Sequence, residues 1–146
     1  MSNNQLPTTY QQFIHASRYA RFVEEHKRRE SWSETVTRYF DFMQKHLKEN
    51  NKYNLPKDLR TELEDAVLSL GIMPSMRALM TAGEALDRDH TAGYNCSYIP
   101  INDVRSFDEV MYILLCGTGV GFSVERDYVD ELPTIAEEFE SSDTII

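Results

Sequence analysis

The chain has 146 residues, of which 41% are hydrophobic and 11% aromatic, a composition typical of a globular protein. Its formal net charge of -9 argues against a protein that grips nucleic acid by its phosphates, since such proteins present a basic face. No apolar run approaches the ~18 residues that cross a bilayer, and the polar N-terminus lacks a secretory pattern. We therefore expect a cytoplasmic protein with no nucleic-acid or membrane partner.

The first half of the chain predicts helices. Apolar residues over 10–23 have partly helical spacing and predict a first helix. Ser31 and Glu34 have the spacing of a capping box, in which each residue's side chain bonds the other's backbone N–H. An apolar stripe at helical intervals follows over 32–47. These features predict a second helix that begins at Ser31.

A third helix is predicted after Asn51. Pro56 suits the first turn of this helix, and Gly71 is placed to end it. Between the first two helices, the charged stretch around Arg28 and Arg29 predicts a solvated turn. Up to this point the pattern is typical of a helical bundle.

The second half of the chain changes in character. Residues 94–101 predict a short strand, and residues 120–124 predict a second one. A helix is predicted between the two strands: Ser106 and Glu109 repeat the capping-box spacing at its start, and Gly117 ends it. A strand, a helix and a strand in this order indicate two parallel strands joined by a crossover. Parallel sheets are covered on both faces, so this part predicts the opening of a larger α/β sheet or barrel.

The two cysteines, Cys96 and Cys116, are 20 residues apart, which fits neither a zinc site nor a disulfide framework. Cys96 lies at the mouth of the first predicted strand, where a cysteine is positioned to be exposed and reactive. A half-buried structural cysteine is the alternative. We assign Cys116 a structural role, with a place in the lining of a pocket as the alternative. The four histidines share no ligand spacing, and we predict no metal site.

Three glycines come together in the segment 117–121, Gly-Thr-Gly-Val-Gly. A Walker loop would continue with Lys and Ser or Thr, whereas Phe122 and Ser123 follow here. A dinucleotide fingerprint needs a strand before the glycines and a helix after them, and here the order is reversed. Two interpretations stay open: a helix end with a tight turn, and a backbone edge that faces a substrate.

Several blocks taken together resemble adenosylcobalamin-dependent (class II) ribonucleotide reductases. The resemblance covers about residues 17–126, and its blocks follow in the order of that family. They are SRYAR over 17–21, RRESWSETV over 28–36, MPSMRALMTAG over 73–83, GYNCSY over 93–98 and CGTGVGFSV over 116–124. The block over 74–80 departs from the wording of many relatives, which blurs the match of individual residues there.

The resemblance implies an α/β fold, with an N-terminal helical domain followed by the first βαβ unit of a ten-stranded α/β barrel that this chain does not complete. It also implies a division of the chain into four parts. These are a flexible arm over 1–9, a helical N-terminal domain over 10–83, the start of the reductase barrel over 84–132, and a C-terminal end over 133–146 that is truncated or exposed.

The implied reaction converts a ribonucleoside triphosphate or diphosphate to its 2′-deoxy form for DNA synthesis. By resemblance, Cys96 is one of two catalytic cysteines that reduce the 2′ position. Asn95 and Gly119 match residues that line the nucleotide pocket, and Ser75 and Arg77 lie near a segment that approaches the substrate. The implied cofactor is adenosylcobalamin, bound mainly outside this chain. The implied partners are the ribonucleotide, a thioredoxin-like reductant and the remainder of the reductase.

Nothing in the sequence matches the partner cysteine, the radical-forming cysteine or the catalytic glutamate of such enzymes, so the chain alone should be inactive. Its ending is compatible with a partial sequence and with a split gene. Two other functions are considered. One is a truncated module that binds nucleotide or docks on a reductase without catalysing a reaction. The other is an unrelated helical interaction protein in which the glycine turn is incidental.

Overall fold

A computed structural model describes residues 6–134 of the chain. The fold divides into two compact units, Met1–Asn95 and Cys96–Ile146. The first five residues of the expected arm over 1–9, and all but two residues of the expected C-terminal end over 133–146, lie outside the described part. The predicted domain boundaries stay predictions.

The first unit contains five α-helices, two short strands, one π-helical turn and two 3₁₀ turns within its described residues. Its elements are α1 (Thr9–Ile14), a π-helical turn (His15–Tyr19), β1 (Phe22–Val23), a 3₁₀ turn (Glu24–His26), β2 (Arg28–Arg29), α2 (Trp32–Asn50), α3 (Lys57–Leu68), α4 (Met76–Thr81), α5 (Glu84–Arg88) and a second 3₁₀ turn (His90–Gly93). The second unit contains β3 (Cys96–Pro100), α6 (Ser106–Leu115), β4 (Gly119–Ser123) and α7 (Arg126–Val129).

Helix α2 begins at the capping box that the sequence predicts. The Ser31 hydroxyl accepts from the Glu34 N–H at 3.3 Å, and the Glu34 carboxylate accepts from the Ser31 N–H at 2.6 Å. These two bonds satisfy backbone donors that a helix start otherwise leaves open. The predicted second helix is confirmed, and its apolar stripe supplies the buried side chains of Trp32, Val36 and Phe40.

We expect Ser31→Ala to lower the free energy of unfolding by about 1 kcal/mol, because alanine cannot accept the Glu34 N–H. The measurement is urea denaturation followed by circular dichroism. Ser31→Asn is the matched control, since asparagine also caps helices well and should retain most of the stability. Equal stability of the alanine variant and the unmodified chain would show that the cap contributes nothing here.

The end of α3 differs from the prediction by one residue. Leu70, rather than Gly71, adopts the left-handed conformation, with φ of 63°. The Leu70 N–H donates to the Val67 carbonyl at 3.0 Å, and the Gly71 N–H donates to the Ala66 carbonyl at 2.9 Å. This is the hydrogen-bond pattern of a Schellman motif. Leucine is kept there because its side chain packs against the core, an interaction that glycine would lose.

The predicted first helix is shorter than its periodicity suggested. Helix α1 ends at Ile14, and β1 then pairs antiparallel with β2, so that Phe22 lies opposite Arg29. Bonds at the base of the hairpin explain the change. The Glu30 N–H donates to the Arg21 carbonyl at 2.8 Å, and the Arg21 N–H donates to the Glu30 carboxylate at 3.0 Å. The predicted turn at Arg28 and Arg29 is therefore a strand, although both residues are exposed.

The core of the first unit is held by an arginine as well as by apolar packing. Arg38 bonds the Glu30 carboxylate at 2.8 and 3.0 Å, with only 19% and 9% of the two side chains exposed. Its guanidinium also donates to three backbone carbonyls, those of Tyr19 at 3.3 Å, Leu79 at 3.2 Å and Ala82 at 2.7 Å. One side chain therefore joins the π-helical turn, α2 and α4.

Burial affects the ionisation of Glu30 and His15 in different ways. Burial alone would raise the pKa of Glu30, but hydrogen bonds from Arg38, the Arg21 N–H and Thr35, together with the charge of Arg38, outweigh it and lower that pKa. His15 Nε2 lies 2.9 Å from the Thr35 hydroxyl. Burial lowers the pKa of His15; the charge of Glu30 opposes this effect and that of Arg38 adds to it.

We expect the stability of the chain to fall as the pH drops below 6.5, the ordinary pKa of histidine. The lowered pKa means that the unfolded chain binds the proton of His15 more readily than the folded chain does. Stability is therefore fully present above pH 6.5 and declines as the pH falls toward the folded pKa. His15→Gln should flatten this decline in urea titrations at several pH values. An unchanged slope in the variant would contradict the assignment.

The second unit contains the predicted parallel pair. Strands β3 and β4 are parallel, with Cys96 opposite Gly119 and Pro100 opposite Ser123, and α6 connects them. The predicted strands are confirmed, with bounds shifted by one or two residues. The Ile101 N–H extends the ladder by donating to the Ser123 carbonyl at 3.0 Å.

The end of α6 agrees with the sequence prediction, whereas its start does not. Gly117 has φ of 86°, and its N–H donates to the Leu114 carbonyl at 2.9 Å, so the predicted glycine stop is confirmed. The capping box predicted at Ser106 is wrong. Arg105 occupies the cap position with no side-chain bond, and the preceding turn is closed by Asp103, whose carboxylate accepts from the Arg105 N–H at 2.7 Å.

Candidate functional site

The candidate site lies on one face of the β3–β4 pair. Side chains on a strand alternate between its two faces, so Cys96 and Tyr98 share a face, and their register partners Gly119 and Gly121 lie beside them. All four residues are exposed. Cys96, predicted from the sequence to be accessible at the mouth of a strand, is exposed and begins β3.

The two glycines leave the positions beside Cys96 and Tyr98 without side chains. Neither Gly119 nor Gly121 has a positive φ, so backbone conformation does not require glycine at either place. A Cβ at Gly121 would lie 3.6 Å from the Ser97 carbonyl oxygen, an ordinary van der Waals distance. Glycine within a strand often marks a place where a ligand or another backbone approaches closely. The exposed Cys96 therefore lies beside backbone that no side chain covers at Gly119 and Gly121.

A side-chain hydrogen bond joins the two strands at the end of the pair where both begin. The Ser97 hydroxyl donates to the Gly119 carbonyl at 3.2 Å, which holds the start of β4 against the start of β3. The backbone of Cys96 therefore lies directly beside that of Gly119. The sequence analysis left two interpretations of the 117–121 segment open. Gly117 ends a helix, as the first interpretation expects, and Gly119 is the register partner of Cys96. A backbone edge that faces a substrate stays a prediction.

Tyr98 is a member of this face that the sequence analysis missed. Hydrogen bonding to Tyr98, followed by the charge of Tyr98, raises the pKa of Tyr128. The segment after α7 is tied back to the end of β3, because the Asn102 amide donates to the Glu131 carboxylate at 2.9 Å. The period of two from Cys96 along the predicted strand could have identified Tyr98 from the sequence.

The other predicted site residues are placed as follows. Asn95 is exposed and directly precedes Cys96. Ser75 and Arg77 belong to the first unit, where the Ser75 hydroxyl accepts from the Ala78 N–H at 3.3 Å and Arg77 Nε donates to the Ala92 carbonyl at 3.1 Å. These bonds give Ser75 and Arg77 structural roles, and their contact with a substrate stays a prediction.

Cys116 occupies a different setting from Cys96. It forms the C-terminal cap of α6, is partly buried, and its N–H donates to the Tyr112 carbonyl at 3.0 Å. The two cysteines form no disulfide with each other in the described part of the chain. Cys116 is thus a useful internal reference for the reactivity of Cys96.

Two further findings concern residues 6–134 alone. No group of three or more His, Cys, Asp or Glu side chains in this range could hold a metal ion. None of the helices in the same range is long and apolar enough to span a membrane.

Comparison with known proteins identifies a structural relative. No family model matches the sequence, and no curated protein matches it. A solved structure described as a B12-dependent (class II) ribonucleotide reductase is similar, with 25% sequence identity and a TM-score of 0.66. The similarity covers 83% of this chain and 21% of that chain, so this chain spans about a fifth of the reductase it matches.

The comparison supports a structural relationship between this chain and a B12-dependent class II ribonucleotide reductase. The mixture of helices and small sheets is consistent with the expected α/β class.

Proposed function

We propose that the chain is part of a ribonucleotide reductase that converts ribonucleoside triphosphates or diphosphates to 2′-deoxyribonucleotides, with Cys96 as one of its two reducing thiols. The observation that carries the proposal is the pairing of exposed Cys96 with Gly119, which leaves a space beside the thiol open to a ligand. The structural similarity to a class II reductase supports it independently.

The role of Cys96 follows from thiol chemistry. In the net reaction, a ribonucleotide and two thiols give a 2′-deoxyribonucleotide, a disulfide and water. The 2′ hydroxyl leaves as water, while Cys96 and a partner cysteine outside this chain each lose a hydrogen atom and join as a disulfide. An external dithiol, of thioredoxin type, then exchanges with that disulfide and restores both thiols. Exposure of Cys96 is required for both steps.

Adenosylcobalamin would supply the radical that opens the ribose to reduction. Within residues 6–134 no buried side-chain polar atom lacks a partner. From the resemblance to class II reductases, we assign cobalamin binding mainly to the remainder of the reductase and attribute thiol chemistry and substrate contact to this chain.

The surface of the second unit supports its assignment as the first βαβ unit of a ten-stranded α/β barrel. Helix α6 is apolar around most of its circumference, and such helices are buried in complete proteins. Large apolar side chains recur on it at helical spacing and are exposed: Phe107 58%, Met111 59%, Leu114 49% and Leu115 79%. Among residues 6–134, no further strand pairs with either edge of the β3–β4 sheet, whereas parallel sheets are usually larger and covered on both faces.

A chimeric enzyme tests the proposed function. The part of a B12-dependent class II reductase that this chain matches is replaced by residues 17–126 of this chain. Formation of deoxyribonucleotide is then measured with adenosylcobalamin and a thioredoxin system. We expect turnover above that of the reductase lacking the segment. A folded chimera without turnover would contradict the proposal and would favour the alternative of a docking or nucleotide-binding module without catalysis.

A further inference from the structure

We propose that Tyr98 is a substrate-positioning residue whose ring contacts the nucleobase of the ribonucleotide, a role that depends on the proposed reduction of the ribose at Cys96. Tyr98 lies two residues after Cys96 on the same strand face, opposite Gly121, and 62% of it is exposed. Because Gly119 and Gly121 carry no side chains, a flat ligand has room to lie against the ring on this face.

The spacing of the face suits a nucleoside. Residues two apart on a strand are about 6.6 Å apart, and their side chains stand roughly perpendicular to the sheet. The side chains of Cys96 and Tyr98 thus project from β3 on one face of the sheet, next to the bare backbone of Gly119 and Gly121 in β4. A ribose beside the Cys96 sulfur, oriented with its base toward Tyr98 along the strand, would place that base against the tyrosine ring.

A stacking contact predicts a particular pattern of specificity. All nucleobases have a flat π face, so an aromatic ring contributes affinity without distinguishing one base from another. Tyr98 should therefore matter equally for a purine and a pyrimidine nucleotide. Loss of the ring should affect binding, while loss of the hydroxyl alone should have little effect.

The test uses the 146-residue chain in a Cys116→Ser background, so that only Cys96 reacts with a thiol reagent such as dithiobis(nitrobenzoate). The rate of Cys96 modification is measured with increasing ATP or CTP. We expect both nucleotides to protect Cys96. Tyr98→Leu, which keeps a bulky side chain, should raise the concentration for half-protection about tenfold for both nucleotides. Tyr98→Phe should stay within about twofold, and Tyr53→Ala is an exposed-tyrosine control.

Three results would overturn the role of Tyr98. They are no protection of Cys96 in the Cys116→Ser chain that retains Tyr98, equal protection in its Tyr98→Leu form, or a loss of protection confined to one of the two nucleotides. Failure of the proposed function has a different signature. Tyr98-dependent protection of the chain, combined with a folded chimera that makes no deoxyribonucleotide, contradicts the reductase and leaves the nucleotide contact standing. Turnover of the chimera with an unchanged KM in its Tyr98→Leu form contradicts the contact alone.

Discussion

Cys96→Ser is expected to lower the rate of deoxyribonucleotide formation by the chimeric reductase on the order of a thousandfold or more. When several residues act as a unit in one reaction, removal of any one of them costs most of the rate. Serine has nearly the same size and retains a hydroxyl, but it can neither give up a hydrogen atom readily nor form a disulfide. The measurement is turnover with adenosylcobalamin and a thioredoxin system. The KM for nucleotide should change little, since the thiol reacts with the substrate but contributes little to holding it.

Cys116→Ser is the matched control. Cys116 is partly buried at the end of α6, away from the alternating positions that form the open face, and its loss should leave most of the turnover. Equal and complete loss in both variants would show that the chimera is sensitive to any change in this unit. Full activity of the Cys96 variant would remove the redox assignment.

Arg38→Met should produce the largest loss of stability in the chain, about 3 kcal/mol or more. Methionine keeps much of the length of arginine but carries no charge and no donors. The variant leaves the Glu30 carboxylate, only 9% exposed, without its cation and deprives three backbone carbonyls of a donor. The measurement is the free energy of unfolding in urea at neutral pH.

An exposed ion pair provides the comparison for Arg38. Arg28 bonds Glu34 through two nitrogens at 2.7 and 2.9 Å, but 48% and 39% of these side chains are exposed. Because such pairs contribute little in water, Arg28→Met should lower the free energy of unfolding far less than Arg38→Met does. A loss as large in the Arg28 variant as in the Arg38 variant would contradict the argument from burial.

The acid sensitivity of the same cluster follows from Glu30. Since the pKa of Glu30 is lowered on folding, its contribution is present above its ordinary value of 4.5 and is lost as the pH falls through the folded pKa. The decline associated with His15 begins at a higher pH, below 6.5. The two windows can therefore be separated in one pH series.

Local signals in the sequence were sufficient where one segment decides its own structure. The capping box at Ser31 and the glycine stop at Gly117 both depend on residues within one helical turn, and both are present. The order of strand, helix and strand also predicted the parallel pair. These features need no information from distant parts of the chain.

Prediction failed where tertiary contacts decide. Helical periodicity extended the first helix through Phe22, but the bonds between Arg21 and Glu30 fold that segment into a hairpin. At the end of α3, packing of the Leu70 side chain favours leucine over the neighbouring Gly71 in the left-handed position. Neither interaction is visible from local composition.

The candidate site was partly predictable for the same reason. Cys96 and the glycines lie at the ends of elements that the sequence identifies, so their proximity across the ladder could be anticipated. Tyr98 was overlooked because an aromatic residue in a strand is usually part of a core. The roles of Asn95, Ser75 and Arg77 depend on a bound substrate and stay predictions.

The most direct test of the central claim is to identify the disulfide formed in a single turnover. The chimera is reduced, freed of external dithiol, mixed with ribonucleotide and adenosylcobalamin, quenched with an alkylating agent and analysed by peptide mass spectrometry. The result we predict is one new disulfide per deoxyribonucleotide, joining Cys96 to a cysteine from the reductase portion. Deoxyribonucleotide accompanied by fully alkylated Cys96, with the disulfide formed elsewhere, would contradict it.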